Sequence, residues 1–323
     1  MMLTENGILN QGYRGVLLRS LASRHGEKVF YCARGRRHWI TDARWLAENG
    51  FAWPSDVIEV HADVLDALLP GQNAPLRHDL ATWRMPDRVL TTWGMRELSV
   101  SRLKGSGIEV GAGANPMPIP LHCQIKYVDI FDVSQLQEHR YDGQESLDIL
   151  RPDIVAMLGK LDPIAPESLD FVVACHVIEH TRDPIAAIAD AWDKIKRGGS
   201  LVLVVPEISR TFDKHRALTE LDHLIGDFKE SDPERMRDMQ HFQEFYAKAF
   251  VTPAESYVAT WKEKWAEDFP IHYHTWTHQS FMEMIDWMMS ESLLPGLQEA
   301  WSRPPLPADE GCIEFWVVLR KEE

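Results

Sequence analysis

The chain is short of cationic charge: 34 Lys and Arg stand against 49 Asp and Glu, a formal net charge of −15. No broad basic surface is available to displace counterions from phosphates, which argues against a nucleic-acid partner. An anionic membrane surface is disfavoured for the same reason. Cysteine is also scarce, with four residues in all. Cys32, Cys123, Cys175 and Cys312 lie far apart without metal-like pairing, so free thiols in a reducing compartment are expected. Long apolar runs are lacking. The stretch from Met1 to Gly15 has no apolar segment of a signal peptide, and nothing approaches the roughly 18 apolar residues of a membrane span. These absences leave a soluble cytoplasmic protein as the working class. Self-association into a homo-oligomer is left open.

The N-terminal part reads as a small α+β module. Lys28 to Cys32 and His38 to Ile40 flank an Arg-Gly-Arg turn, the pattern of a hairpin. Thr41 or Asp42 can cap a helix ending at Gly50, Val57 to Val60 adds a strand, and Asp63 to Leu69 a short helix. We assign residues 1–80 to this accessory module and 81–323 to one larger domain.

From Gly107 onward the pattern is strand, loop, strand. Ile108 to Val110 runs into Gly111-Ala112-Gly113, and Ile125 to Val128 ends in Asp129. Leu169 to Ala174 is almost wholly apolar, as a strand buried on both faces should be. Asp183-Pro184 opens a helix with an N-cap carboxylate and proline at the first turn, and Arg197-Gly198-Gly199 is expected to close it. Leu201 to Val205 is a further buried strand, and short connections of this kind imply a parallel crossover sheet. Residues 207–270 interrupt the pattern with charged, helical sequence. There, Thr252-Pro253-Ala254-Glu255 is a capping box, and Tyr257, Trp261 and Trp265 share one helix face, a stripe read as packed core. The chain closes with a helix from Thr277 to Ser290, a strand over Gly296 to Trp301 and a last strand over Cys312 to Leu319, the two strands paired antiparallel.

Glu109 lies two residues before the first glycine, and Asp129 ends the next strand about twenty residues later, where a ribose-binding acid belongs. Pro116 stands where a dinucleotide fingerprint has its third glycine. These features, with the run from Leu169 to His180, Asp183-Pro184 and Lys196 to Pro206, resemble class I S-adenosylmethionine (SAM)-dependent methyltransferases. The branch they resemble contains the quinone-biosynthesis enzymes, and the His272 to Thr277 run is similar to bacterial glycan- or secondary-metabolite-associated methyltransferase-like proteins.

The resemblance implies an α/β fold: a Rossmann-like doubly wound sheet with an antiparallel last strand, carrying the N-terminal module and a helical lid over 207–270. It implies SAM as cofactor, bordered by Glu109, Gly111, Gly113, Asn115, Asp129, Ile130, Met157, Leu158, Cys175 and His176. Met157 and Leu158 stand where an adenine-reading acid is usual, so backbone groups would read the base. It further implies methyl transfer to a small-molecule or saccharide acceptor, at oxygen. An NAD(P)-dependent oxidoreductase and a non-catalytic scaffold on a degenerate methyltransferase fold are the alternatives.

Four of the fourteen histidines, His176, His180, His215 and His272, are candidates for a catalytic base, with His180 also readable as a brace of its strand-to-helix turn. His272 and His274 alternate as on a strand and so share a face, and with Asp213, His215 and His241 they could form a metal site on the open edge of the cleft, although a base or substrate-binding role is favoured over a metal. No spacing among these demands a metal, and none is assigned.

Overall fold

A computed structural model describes residues 16–20, 25–26, 28–33, 36–40, 43, 46, 51–70, 92–140, 149–230, 232, 234–249, 261–307, 309 and 311–323. They fall into two compact units. The first contains the described residues up to 70, with 101–105 and 119–125. Its strands are β1 (Val16–Arg19), β2 (Val29–Ala33), β3 (Arg36–Trp39), β4 (Val57–Glu59) and β5 (Leu69–Pro70), with α1 (Ala62–Asp66) before the last. The sheet order is β4-β1-β2-β3-β5. The β2–β3 pair is the expected antiparallel hairpin, whereas β1 adds a strand that the sequence reading left out. Alternation along β1 and β2 builds two apolar faces. Leu17 and Tyr31 pack with Ile40, Leu46 and Phe51, while Leu18, Phe30 and Cys32 pack with Leu65 and Leu68. The helix expected between Thr41 and Gly50 falls largely outside the described residues.

The second unit opens with α2 (Thr92–Val100), which the sequence reading did not anticipate. Then follow β6 (Ser106–Val110), β7 (Gln124–Asp129), α3 (Val133–Arg140), β8 (Ile154–Val155), β9 (Leu169–Cys175), α4 (Pro184–Lys194) and β10 (Ile195–Pro206). After these come α5 (Leu221–Lys229), α6 (Met236–Lys248), α7 (His278–Ser290), β11 (Leu297–Arg303) and β12 (Glu314–Lys321). Seven strands lie in the order β11-β12-β10-β9-β6-β7-β8. The β10–β9, β9–β6 and β7–β8 pairs are parallel, and β12 runs antiparallel to both β10 and β11. The chain therefore winds outward from β6 through β7 to β8, returns to β9, and winds outward the other way. This is the doubly wound α/β class with an antiparallel end, and its order reverses between β6 and β9. Ligands of such sheets bind at that reversal, outside the carboxyl ends of the strands.

The local sequence explains the elements that frame this point. Asp183 caps α4 by accepting the Ala186 N–H at 2.9 Å, with Pro184 at the first turn. Ile185, Ile188, Ala191 and Trp192 point from α4 into the core. The expected glycine cap at Arg197 to Gly199 is instead part of β10. The helix stops at Lys194, the strand starts at Ile195, and the pairing with β9 is broken between Ile195 and Ser200. Gly199 allows this: a Cβ there would lie 2.6 Å from Ile195 Cγ2 and 2.8 Å from the Asp170 carbonyl oxygen. Thr277 and Ser280 form a reciprocal capping box that starts α7. No described helix is long and apolar enough to cross a membrane.

Over 207–270 the described residues form short turns of helix at Ile208–Arg210 and Phe212–His215, then α5, α6 and a helical stretch over 261–266. Trp261 and Trp265 pack with Phe242, Phe245 and Ala249, the arrangement expected of a core stripe. Thr252 to Glu255 and Tyr257 lie outside the described residues.

Candidate functional site

The carboxyl end of β6 runs into Gly111, whose N–H donates to the Val128 carbonyl on β7 at 2.8 Å. Its φ of +71° and a Cβ position 2.6 Å from Val177 Cγ2 both require glycine. Gly113 also has positive φ, and its carbonyl accepts the Leu150 N–H. No helix forms between 111 and 123, where Pro116, Pro118 and Pro120 lack the donors a helix needs. The loop is held from below instead. The carboxylate of Glu109, buried in β6, accepts the Met117 N–H at 2.7 Å. Asp129 ends β7 and accepts the Ile130 N–H at 2.8 Å, with the Ile130 side chain exposed beside it. Asn115 is exposed as well. Met157 is half-buried, whereas Leu158 sits within the hydrophobic core beside Leu161 and Ile164. The Leu158 side chain is thus part of the core.

At the end of β9, burial pushes the Cys175 thiol well above its ordinary range, so it stays protonated. His176 follows with φ of +54°, a left-handed conformation that turns the chain toward the short helical turn at Ile178–His180. Its Nε2 lies 2.8 Å from Glu314 Oε2 at the start of β12. Glu314 is buried and also accepts from Arg96 of α2, at 2.8 Å from Nε and 2.6 Å from Nη2. Burial alone would raise the Glu314 carboxyl, but the hydrogen bonds from Arg96 and His176 outweigh it and hold it below the usual range. The reverse holds for His176. Burial favours the neutral imidazole, yet the Glu314 hydrogen bond and the Glu179 charge raise its pKa above the ordinary value.

Glu179 is wholly buried, and neither carboxylate oxygen has a hydrogen-bond partner. It lies between two imidazoles, 3.7 Å from His176 Nδ1 and 4.0 Å from His272 Nε2, and burial raises its pKa. The Glu179 carbonyl accepts the Tyr273 N–H at 2.7 Å, which fixes the segment carrying His272 against the end of β9. His272 Nδ1 lies 2.6 Å from Asp213 Oδ2, and Asp213 in turn accepts from Arg216 Nη1 at 2.9 Å. Despite burial, these partners keep the Asp213 carboxyl below its ordinary range. His180 Nδ1 donates to the Ile271 carbonyl at 2.9 Å. The His180 and His272 rings meet edge to face at 4.8 Å between centroids.

Thus His176, His180 and His272 converge through Glu179, while His215 is exposed at the end of its helical turn. His272 and His274 do not share a site. The segment before Trp276 is not a regular strand, so strand alternation does not govern it. His272 joins Asp213, and His274 joins His223, Asp227 and His241. Sequence reasoning missed Arg96 and Glu314, and cited Glu179 only within a longer run. Arg96 sits in an unanticipated helix. The available signal for Glu314 was an acid opening an otherwise apolar final strand.

No curated protein sequence matches the chain. Among solved structures, the chain is similar to the CurJ carbon methyltransferase at 12% identity and a TM-score of 0.38, covering 76% of this chain and 59% of that one. It is similar to a SAM-dependent methyltransferase from Thermotoga maritima at 16% identity and a TM-score of 0.38, covering 75% and 94%. It is also similar to the DszA carbon methyltransferase at 14% identity and a TM-score of 0.35, covering 70% and 53%. The chain therefore spans less than two thirds of both carbon methyltransferase chains. Independently of these, the family model described as Methyltransferase domain matches residues 76–286, and the chain belongs to that family.

Proposed function

We propose that the chain transfers a methyl group from SAM to a hydroxyl of a small-molecule or saccharide acceptor. The observation that carries this reading is the placement of Gly111 at the end of β6 and Asp129 at the end of β7, beside the point where the strand order reverses. Gly111, Gly113 and Asn115 form the cradle, with Glu109 holding the loop. Asp129 would accept the ribose hydroxyls, Ile130 would pack on the base, and the backbone at Met157 and Leu158 would read its edge. The carboxylates of Glu109 and Asp129 at the ends of β6 and β7 suit a cationic, ribose-bearing ligand, so the residues present fit the cofactor. When bound, SAM supplies a methyl group on a sulfonium, a leaving group that needs no acid.

The protein's own task is then alignment, water exclusion and one proton transfer. The chain's residues would align one acceptor hydroxyl with the methyl group that SAM would supply, and a base held by the chain would take the hydroxyl proton. His272 is the base we favour: Asp213 fixes the proton on Nδ1 and leaves Nε2 to accept. His180 braces it, and His176, tied to Glu314, positions the turn after β9. Residues 207–270 serve as the cover that selects the acceptor, and 1–80 as an accessory module.

Incubating the full chain with methyl-labelled SAM and polyhydroxylated acceptors tests this reading. A labelled methyl ether supports it, and label found only on nitrogen or carbon overturns the oxygen assignment.

A further inference from the structure

A second cluster of metal-binding side chains lies apart from the Glu179 network. His223 and Asp227 stand one turn apart on α5 and so project from the same helix face. His241 comes from α6, and His274 from the segment leading to α7. His223 Nε2 is 3.1 Å from Asp227 Oδ2 and 3.3 Å from His241 Nε2. Asp227 Oδ2 is 3.5 Å from His241 Nε2 and 3.7 Å from His274 Nε2. Four-coordinate zinc with bonds of about 2.0–2.1 Å places its donor atoms about 3.3 Å apart, so these separations match the edges of such a tetrahedron.

The imidazoles gather around one carboxylate oxygen, and His223 and His241 also meet through their Nε2 atoms. Asp227 Oδ2 is buried, with three imidazole nitrogens around it. Its other oxygen is held by Arg237 Nη1 at 3.0 Å, which fixes the carboxylate in a one-oxygen pose. His241 Nδ1 donates to the Tyr273 carbonyl at 3.1 Å, so its Nε2 presents a lone pair to His223. His274 Nε2 also faces the Arg182 carbonyl at 3.1 Å, which makes it the donor that must turn for full coordination. A cavity of about 350 Å³, lined by Arg182, Asp227, Arg237 and His241 among others, gives the cluster a route from solvent.

We propose that His223, Asp227, His241 and His274 form a structural site for one divalent transition metal of the zinc class. Three imidazoles and one carboxylate suit zinc, cobalt or nickel and are too poor in oxygen for calcium or magnesium. Four protein donors close the coordination shell, the pattern of a site that braces rather than catalyses. The bound ion ties α5, α6 and the segment carrying His272 into one piece, independently of what the chain methylates.

The test uses the full-length chain, freed of metal by a chelator and titrated with cobalt(II) alone. The expected result is visible absorption of four-coordinate cobalt that saturates at one equivalent, disappears on adding zinc, and accompanies a rise in melting temperature. His223→Gln, at a half-exposed position that tolerates change, weakens cobalt binding by at least about 100-fold, and Arg237→Met weakens it about 10- to 100-fold. His215→Gln leaves it unchanged. A folded chain that develops no such absorption overturns the proposal, and so does absorption that persists at full strength in His223→Gln. Circular dichroism on each sample establishes that the chain is folded.

Discussion

His176 Nε2 and Glu314 Oε2 are 2.8 Å apart, joining the end of β9 to the start of β12 across 138 residues of chain. The pair places a charged group from the antiparallel end of the sheet beside the turn that leaves its parallel centre. Arg96 on the other side of Glu314 completes a partly buried row of alternating charge.

This pair makes stability depend on pH in a definite direction. The His176 pKa is raised above its ordinary 6.5 in the folded chain, so its contribution is fully present below that value. It is lost as the pH rises through the folded-state pKa. The contribution of His176 to the melting temperature should therefore fall as the pH rises above about 6.5. His176→Asn removes that contribution from the pH dependence of the melting temperature, which thermal melts at fixed ionic strength will measure. An unchanged slope in the variant contradicts the ion pair.

Gly111 offers a sharper structural test. Alanine there must adopt φ of +71° and place Cβ 2.6 Å from Val177 Cγ2. We expect Gly111→Ala to lose about 1–3 kcal/mol of stability and to bind SAM at least tenfold more weakly. The double variant Gly111→Ala with Val177→Ala, which removes the clashing methyl groups, should recover part of the stability loss. Denaturant melts of the two variants decide it.

The base assignment separates binding from turnover. His272→Asn should lower kcat by about 10²- to 10⁴-fold while SAM affinity changes less than about threefold. Asp213→Asn acts through the same imidazole and should also lower kcat, shifting the base-dependent limb of the pH profile. His215→Ala, at an exposed position, should leave both quantities unchanged. Full turnover in His272→Asn would move the proton transfer to His180.

What the sequence made legible was what local pattern controls. The hairpin of β2 and β3, the capped start of α4, the apolar β9 and the capped α7 each follow from spacing, cap residues and period within a few residues. The end of α4 did not follow, because Arg197 to Gly199 serves equally as a helix cap or as an irregularity in a strand. Only the close approach of Gly199 to Ile195 and the Asp170 carbonyl decides between them. β1 and α2 escaped notice because each is short and derives its burial from partners remote in sequence.

The same division runs through the site. Gly111 and Asp129 could be read because a loop and a strand end impose fixed residue types at nearby positions. Arg96, Glu179 and Glu314 could not, since their roles arise from contacts across the fold. His272 and His274 show the limit most plainly. Two residues apart on an irregular segment, they enter separate clusters that no period predicts.

The central claim is that SAM binds at the carboxyl ends of β6 and β7 through Asp129. Calorimetric titration of SAM into the native chain and into Asp129→Ala tests it most directly. The account predicts saturable one-to-one binding that weakens by about 2 kcal/mol, roughly thirtyfold, in the variant. Equal affinity in the two chains, or no binding to the folded native chain, contradicts it.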